Sequence, residues 1–369
     1  MKVGILTSLF FREIEEVHGR DRIIFGGAER YLVEFCRFLQ DHGCDVHVFQ
    51  PLDIDYDIEK EFEGIKIHCI PSSEKDWEMG LNPSLNMAFN EYTRSLDLRV
   101  YFATFLAWPH ILRPAITISH GVYWDWPHHL YNHIEPDKFM ERHFYGIYAA
   151  DVCVAVDGNV KRVVQAMMPG VAHKIRIVPN FVDTSVFKPR EEPKDWERPR
   201  ILFPRRLTAI RGCNEFLQAA PKNPQYDYIV CGNSNNQNVE DQLADHLKNT
   251  PNIRSIWKPM HEMPQVYQEA DIAVIPTLAA EGLSLSLLEA MACGLPIITT
   301  PVGGISDAVV AGYNALVYDP DYENLADYIK FVVENKEIWH SLSIRSRETA
   351  KAFDIKIWRE RWKEVLRFQ

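Results

Sequence analysis

Several signatures that would settle a protein's class at once are missing from this chain. No two cysteines have CxxC spacing, and the seven present, at positions 36, 44, 69, 153, 213, 231 and 293, are scattered mostly among apolar residues. Reduced, buried thiols are therefore expected, not a disulfide framework or a thiolate zinc site. No apolar run reaches the roughly 18 residues of a membrane-spanning helix. The aromatic stretch 97–118 is broken by Arg99, Pro109, His110, Arg113 and Pro114. Positive charge is in deficit, with 40 Lys and Arg against 51 Asp and Glu, a formal charge of -11. That balance argues against nucleic acid as a partner and leaves room only for a local basic pocket. Neither the GxxxxGK[ST] phosphate loop nor an HExxH zinc motif occurs. His128, His129 and His133 in WPHHLYNH lack metal-ligand spacing and are expected to pack or order a loop. The opening MKVGILTSLFFREIEE has one lysine before a short apolar run and then turns acidic. It reads as a first strand and not as a signal peptide.

What is present suits an α/β protein. The chain has 369 residues, 46% of them hydrophobic, enough for two cores and too many for a disordered or collagen-like chain. VGILTS, DVHVFQ, IKIHCI, AITISH, VCVAVD and IRIVPN are short apolar runs that predict strands. The segment 26–43 carries an apolar stripe at helical spacing. A second series follows in ILFPRR, YIVCGN, DIAVIPT and PIITTP. This rhythm predicts parallel sheets covered by helices on both faces. The polar stretch VFKPREEPKDWERPR, with three prolines, separates the two series. The expected organisation is a domain over 1–185, a second over 186–353, and a terminal helix over 354–369 packing back on the first. Cut at Ser185, the first part carries 18 basic and 26 acidic residues and the remainder 22 and 25. The second is thus the better host for a diphosphate.

The most informative run is EADIAVIPTLAAEGLSLSLLEAMACGLPIITTPVGG, residues 269–304. DIAVIPT predicts a strand, EGLS a turn, LSLLEAMA a short helix, and Gly294 its end. Glu281 then lies at the entrance and Glu289 within the helix, placed to meet two separated parts of one extended ligand. Ser284 is an N-cap candidate, Gly282 permits close approach of the chain, and Leu283 secures the loop by packing. An ordinary capped surface helix remains the alternative. Arg205, Arg206 and Arg211 follow the strand ILFP. Two of their guanidinium groups would clamp two phosphates, or else form surface salt bridges. Gly26 and Gly27 begin a loop-to-helix transition where a nucleotide or sugar approaches the backbone, or simply a close helix–sheet junction. His120 stands where a strand ends, with Trp124 and Trp126 nearby as a wall of the crevice or as packing.

Taken together these segments resemble a retaining glycosyltransferase of the GT-B superfold, in the large group called family 4. GGAERYL resembles the acceptor-domain glycine loop. VPNFVDTSVF resembles the interdomain VPNGVD segment, with Phe181 in place of glycine. ILFPRRLTAIRG resembles the donor-domain motif, with Arg206 at the arginine, Arg211 at the lysine and Arg205 at a glycine. Glu281 and Glu289 form the spaced acidic pair, and Asp307 in VGGISD stands where the family has glutamate. The resemblance implies two Rossmann-like domains flanking a central cleft, and transfer of a sugar from a nucleotide-diphosphate sugar to an acceptor hydroxyl with retention. His120, Arg206, Arg211 and Glu281 would serve catalysis. Gly26, Gly27, Arg206, Arg211, Glu281, Gly282, Leu283, Ser284 and Glu289 would bind the donor. No metal or other cofactor is required on this reading. The acceptor would be a carbohydrate, a lipid-linked sugar or a small molecule. The protein would be cytoplasmic, with transient association at the inner membrane surface for a lipid acceptor. A GT-B phosphorylase, a nucleotide-sugar synthase and a noncatalytic sugar-binding protein are the alternatives.

Overall fold

A computed structural model describes residues 1–10, 26–52, 58–72, 82–122, 136–191, 197–234, 237–279, 281–320 and 323–368. His128, His129, His133, Trp124 and Trp126 lie outside the described residues. The chain divides into two compact units. One comprises Met1–Trp124, Tyr131–Val178 and Arg361–Gln369, the other Asp125–Leu130 and Pro179–Glu360.

The first unit contains one eight-stranded sheet built from β1 (Lys2–Leu6), β2 (Asp45–Leu52), β3 (Ile58–Phe62), β4 (Ile65–Pro71), β5 (Leu98–Tyr101), β6 (Ala115–Ser119), β7 (Val152–Ala155) and β8 (Ile175–Ile177). Their order is β3-β4-β2-β1-β5-β6-β7-β8. Every pairing is parallel except β3 with β4. The strand order reverses between β1 and β5, the point at which open α/β sheets leave a crevice beyond their carboxyl ends. β3 was not evident in the sequence because IEKEF interleaves charges, as suits an antiparallel edge.

The second unit has six parallel strands, β9 (Arg200–Phe203), β10 (Asp227–Cys231), β11 (Ile253–Ile256), β12 (Ile272–Ile275), β13 (Ile297–Thr299) and β14 (Leu316–Val317). They run in the order β11-β10-β9-β12-β13-β14, the doubly wound arrangement with its reversal between β9 and β12. Period-two alternation sends neighbours to opposite faces. Leu202, Ile229, Ala273, Ile275 and Ile297 join one apolar cluster with the helix Leu285–Ala292. Ile201, Phe203, Tyr228, Val230, Ile272, Val274 and Ile298 join another with the helices Cys213–Ala219 and Leu325–Glu334. Both faces are buried, which explains why these strands read as unbroken apolar runs.

The segment after Pro179 is held by the second unit. Phe181 packs on Trp358 at 4.7 Å between ring centroids, giving the side chain found in place of glycine a structural partner. The backbone of Val182 bridges Asp354, whose carboxylate accepts hydrogen bonds from the Thr184 hydroxyl and backbone N–H. In the stretch read as a polar joining segment, Phe187 is buried and Arg190 pairs with buried Asp271 at 2.8 Å. All seven cysteines are free and buried. Among the described residues, no helix is long and apolar enough to cross a membrane.

In the first unit Trp362 is fully buried, packs tilted against Phe35 at 4.4 Å between ring centroids and donates its indole N–H to the Tyr31 hydroxyl at 3.0 Å. Removing so large a buried side chain leaves a cavity and takes a hydrogen bond from the Tyr31 phenol. Trp362→Ala is expected to lower stability by about 3–5 kcal/mol, read as a drop in the urea midpoint. A midpoint within error of the parent would show that the terminal segment is not part of the core.

Candidate active site

The reversal in the second sheet sets two loops side by side, one leaving β9 and one leaving β12. The first carries Arg205, Arg206 and Arg211. The second carries Thr277 and Glu281. The Glu281 side chain is 10% exposed, and its Oε2 accepts hydrogen bonds from Arg205 Nη2 and from Arg211 Nη1. Thr277 Oγ1 accepts from Arg205 Nη1 at 2.6 Å and donates to the same carboxylate oxygen at 3.3 Å. Among the described residues, Oε1 receives no hydrogen bond. Burial alone would raise the Glu281 carboxyl, but Arg211 and Arg205 outweigh it and hold the group below its ordinary value. Burial pulls the Arg205 guanidinium below its usual value, against the attraction of Glu281. Arg205 nonetheless remains a cation, since arginine titrates far above neutrality.

The three arginines are not equivalent. The Arg205 side chain is 8% exposed and that of Arg211 26% exposed. Arg206 points into solvent and makes no ion pair among the described residues. The structure thus brings Arg205 and Arg211 to Glu281 and leaves Arg206 apart from them. Arg205 occupies the glycine position of the resembling motif, so the motif assigns it no role.

Glycines let these loops approach. A side chain on Gly232 would stand 2.2 Å from the Arg205 carbonyl, and one on Gly212, at φ +74°, 1.9 Å from that of Pro276. Gly303, at φ +56°, would bring its Cβ to 1.9 Å from the Glu281 carbonyl, while Gly304 N–H donates to that oxygen at 3.0 Å. The backbone beneath the carboxylate is therefore clamped from the turn after β13. Asp307 ends the short turn Gly303–Asp307, half-buried.

Past Glu281 the chain turns into the helix Leu285–Ala292, with Ser284 as its N-cap and Gly294, at φ +71°, just beyond its end. Gly282 and Leu283 are buried. Leu283 packs in the core, and its carbonyl accepts from the Asn180 amide, a contact with no signal in the sequence. Glu289 is buried and accepts from the Tyr267 hydroxyl at 2.7 Å. It is not a solvent-facing helix residue. The tyrosine partner lies 22 positions away, beyond the reach of local spacing.

In the first unit, Gly26 caps the helix Gly27–Asp41 with extended backbone that any residue adopts. His120 follows β6 and is mostly buried, with Nε2 2.8 Å from the Phe102 carbonyl and its ring edge-on to Tyr31 at 5.6 Å. A carbonyl only accepts, so Nε2 carries the proton and Nδ1 the lone pair. Burial lowers this imidazole to about 4, against the Phe102 hydrogen bond, and it is neutral at pH 7. Among the described residues, no group of three or more His, Cys, Asp or Glu is arranged to hold a metal ion.

Two family descriptions match the chain, Glycosyltransferase Family 4 over residues 25–186 and Glycosyl transferases group 1 over residues 186–349. Among curated proteins it is 25% identical over 228 residues to alpha-maltose-1-phosphate synthase of Mycolicibacterium smegmatis, covering 55% of this chain and 59% of that one. It is 30% identical over 173 residues to D-inositol 3-phosphate glycosyltransferase of Corynebacterium urealyticum, covering 40% of each. The chain thus spans about half the length of the curated relatives it matches. Among solved structures, sucrose-phosphate synthase from Thermosynechococcus elongatus superposes with a TM-score of 0.79 at 17% identity, over 99% of this chain and 98% of that one. Anabaena HepE in complex with UDP and glucose gives 0.76 at 17% identity, over the whole of both chains. At that identity the likeness is one of fold.

The clamp beneath Glu281 is open to direct measurement. Gly312 also has positive φ, +73°, but a side chain there would meet nothing within 4 Å. Gly312→Ala is expected to cost about 1–2 kcal/mol from backbone conformation alone. Gly303→Ala should cost about 1–3 kcal/mol more, because the Glu281 carbonyl must move. Equal urea midpoints for the two variants would show that Gly303 does not set the loop.

Proposed function

From a chain that belongs to glycosyltransferase family 4 and has the GT-B fold, we propose the transfer of a sugar from a nucleotide-diphosphate sugar to an acceptor hydroxyl, with retention at the donor carbon. The observation that carries this reading is the juxtaposition of Arg211 and Glu281 at the strand-order reversal of the second sheet, where doubly wound sheets bind nucleotides. The second unit takes the donor and the first the acceptor.

The reaction breaks the bond from the donor carbon to the diphosphate oxygen and forms one to the acceptor oxygen on the same face. The departing phosphate oxygen takes the acceptor proton. Charge grows on the diphosphate as the bond lengthens, and the Arg211 guanidinium, with Arg206 at the solvent side, donates to that charge. Glu281 positions the donor sugar through Oε1 and is not assigned as a covalent nucleophile. Glu289, held by Tyr267, accepts from the nucleotide ribose, and the turn Gly282, Leu283, Ser284 lies along the sugar or phosphate. In the first unit, neutral His120 accepts a substrate hydroxyl through Nδ1. Gly26 and Gly27 contribute backbone at the start of their helix. No divalent metal is assigned to the step.

A mass-spectrometric screen of nucleotide sugars against carbohydrate, lipid-linked and small-molecule acceptors, with the product anomer determined, tests this reading. A glycoside of retained configuration is expected. An inverted product, or cleavage only with inorganic phosphate, would overturn it in favour of another mechanism or a phosphorylase. Arg211→Ala should lower kcat/KM for the donor about 100- to 1,000-fold, the usual loss of one donor aimed at developing charge, with the circular dichroism spectrum unchanged. Near-normal turnover in the folded variant would remove Arg211 from the mechanism.

A further inference from the structure

Arg211 has two claims on it. In the structure it is bound to Glu281, whereas the proposed reaction needs it on a diphosphate. Were it to leave with no replacement, a carboxylate only 10% exposed would be left as an uncompensated buried charge, which is strongly unfavourable. Arg205 removes that difficulty. Its side chain is the more buried of the two, it makes its own hydrogen bond to the same Glu281 oxygen, and it is tied a second time to Thr277 Oγ1 at 2.6 Å. The Arg205 carbonyl lies close over Gly232, so its backbone has little room to shift. Arg211 sits on the short turn Ala209–Arg211 and is more exposed.

Resting on the function proposed above, we propose that Arg205 is a positioning residue that stays on Glu281 when the donor arrives, so that Arg211 is released from that carboxylate to the diphosphate. Two guanidinium groups against one carboxylate leave one positive charge in excess, and the arriving diphosphate meets that excess. Arg205 acts through Glu281 and does not touch the phosphates. Around that carboxylate the charged groups are Arg205 from the loop after β9 and Arg211 from the same loop. Thr277 faces it from the loop after β12, and Tyr267 acts electrostatically on Arg205.

The dependence of Arg205 on Glu281 yields a test by calorimetry, with UDP, GDP and ADP as probes. Arg205→Met should weaken the nucleoside diphosphate that the parent binds about tenfold, because Arg211 is then retained by Glu281. Arg205→Lys, which restores the charge, should recover most of that loss. Combining Arg205→Met with Glu281→Gln should also restore binding, since no carboxylate then competes for Arg211. A residue that merely packs, or that itself binds phosphate, would not be rescued by changing Glu281. Because Glu281 is held low, its pairing stabilises the fold above the unfolded carboxylate range and is lost as pH falls through its folded value. Acid unfolding of Arg205→Met should therefore begin at higher pH than in the parent, whatever the protein transfers. Should Arg205→Met not fold, the double variant is compared with Glu281→Gln alone. Equal affinity supports the proposal, and a weaker double variant overturns it. Unchanged nucleotide affinity and acid stability in folded Arg205→Met overturn the proposal while leaving the proposed reaction intact. A parent that binds none of the three nucleotides overturns both.

Discussion

A single carboxylate organises the second unit. Glu281 Oε2 collects hydrogen bonds from Arg205, Arg211 and Thr277, side chains brought together from the loops after β9 and β12. Those strands are neighbours only because the sheet reverses its order there. Two cations and one anion packed this closely would be unstable in a featureless interior. Here the trio is tolerable because the loop backbones approach on glycine and because the open side faces solvent through Arg211. The same packing makes the site asymmetric, with one guanidinium fixed and one able to leave.

The first unit solves a different problem with the same sheet grammar. Its strands around β1 repeat the reversal, and His120 emerges just beyond β6. The ring is held by the Phe102 carbonyl and by Tyr31, and Tyr31 is in turn held by Trp362 from the far end of the chain. Burial keeps the imidazole neutral, so the ring carries no positive charge and Nδ1 keeps its lone pair. The terminal segment is thus part of the scaffold that orients the histidine.

How much was legible depended on burial. Strands buried on both faces, such as IAVI in β12 and RILF in β9, announced themselves as apolar runs. β3 with its charges, β11 with exposed Arg254 and Ser255, and the two-residue β14 did not, because an edge or short strand has little apolar surface to hide. The turn and helix over 281–292 were readable from EGLS and the small-residue helix that follows. The burial of Glu289 and its bond to Tyr267 were not, since nothing in local spacing says which partner a helix face will meet.

By itself the sequence determined the alternation of strand and helix, the resemblance to family 4 carried by the 281–304 run, and the presence of three arginines after one strand. Those properties reside in residue type and short-range spacing, which survive without a fold. The tertiary structure alone decided which arginines matter to Glu281. Arg205 and Arg206 are adjacent in the chain, yet one guanidinium is buried on the carboxylate and the other points into solvent. Side-chain direction at a loop depends on how closely the neighbouring backbones press, and here that is set by Gly232, Gly212 and Gly303 meeting the carbonyls of Arg205, Pro276 and Glu281 in the loops after β9 and β12.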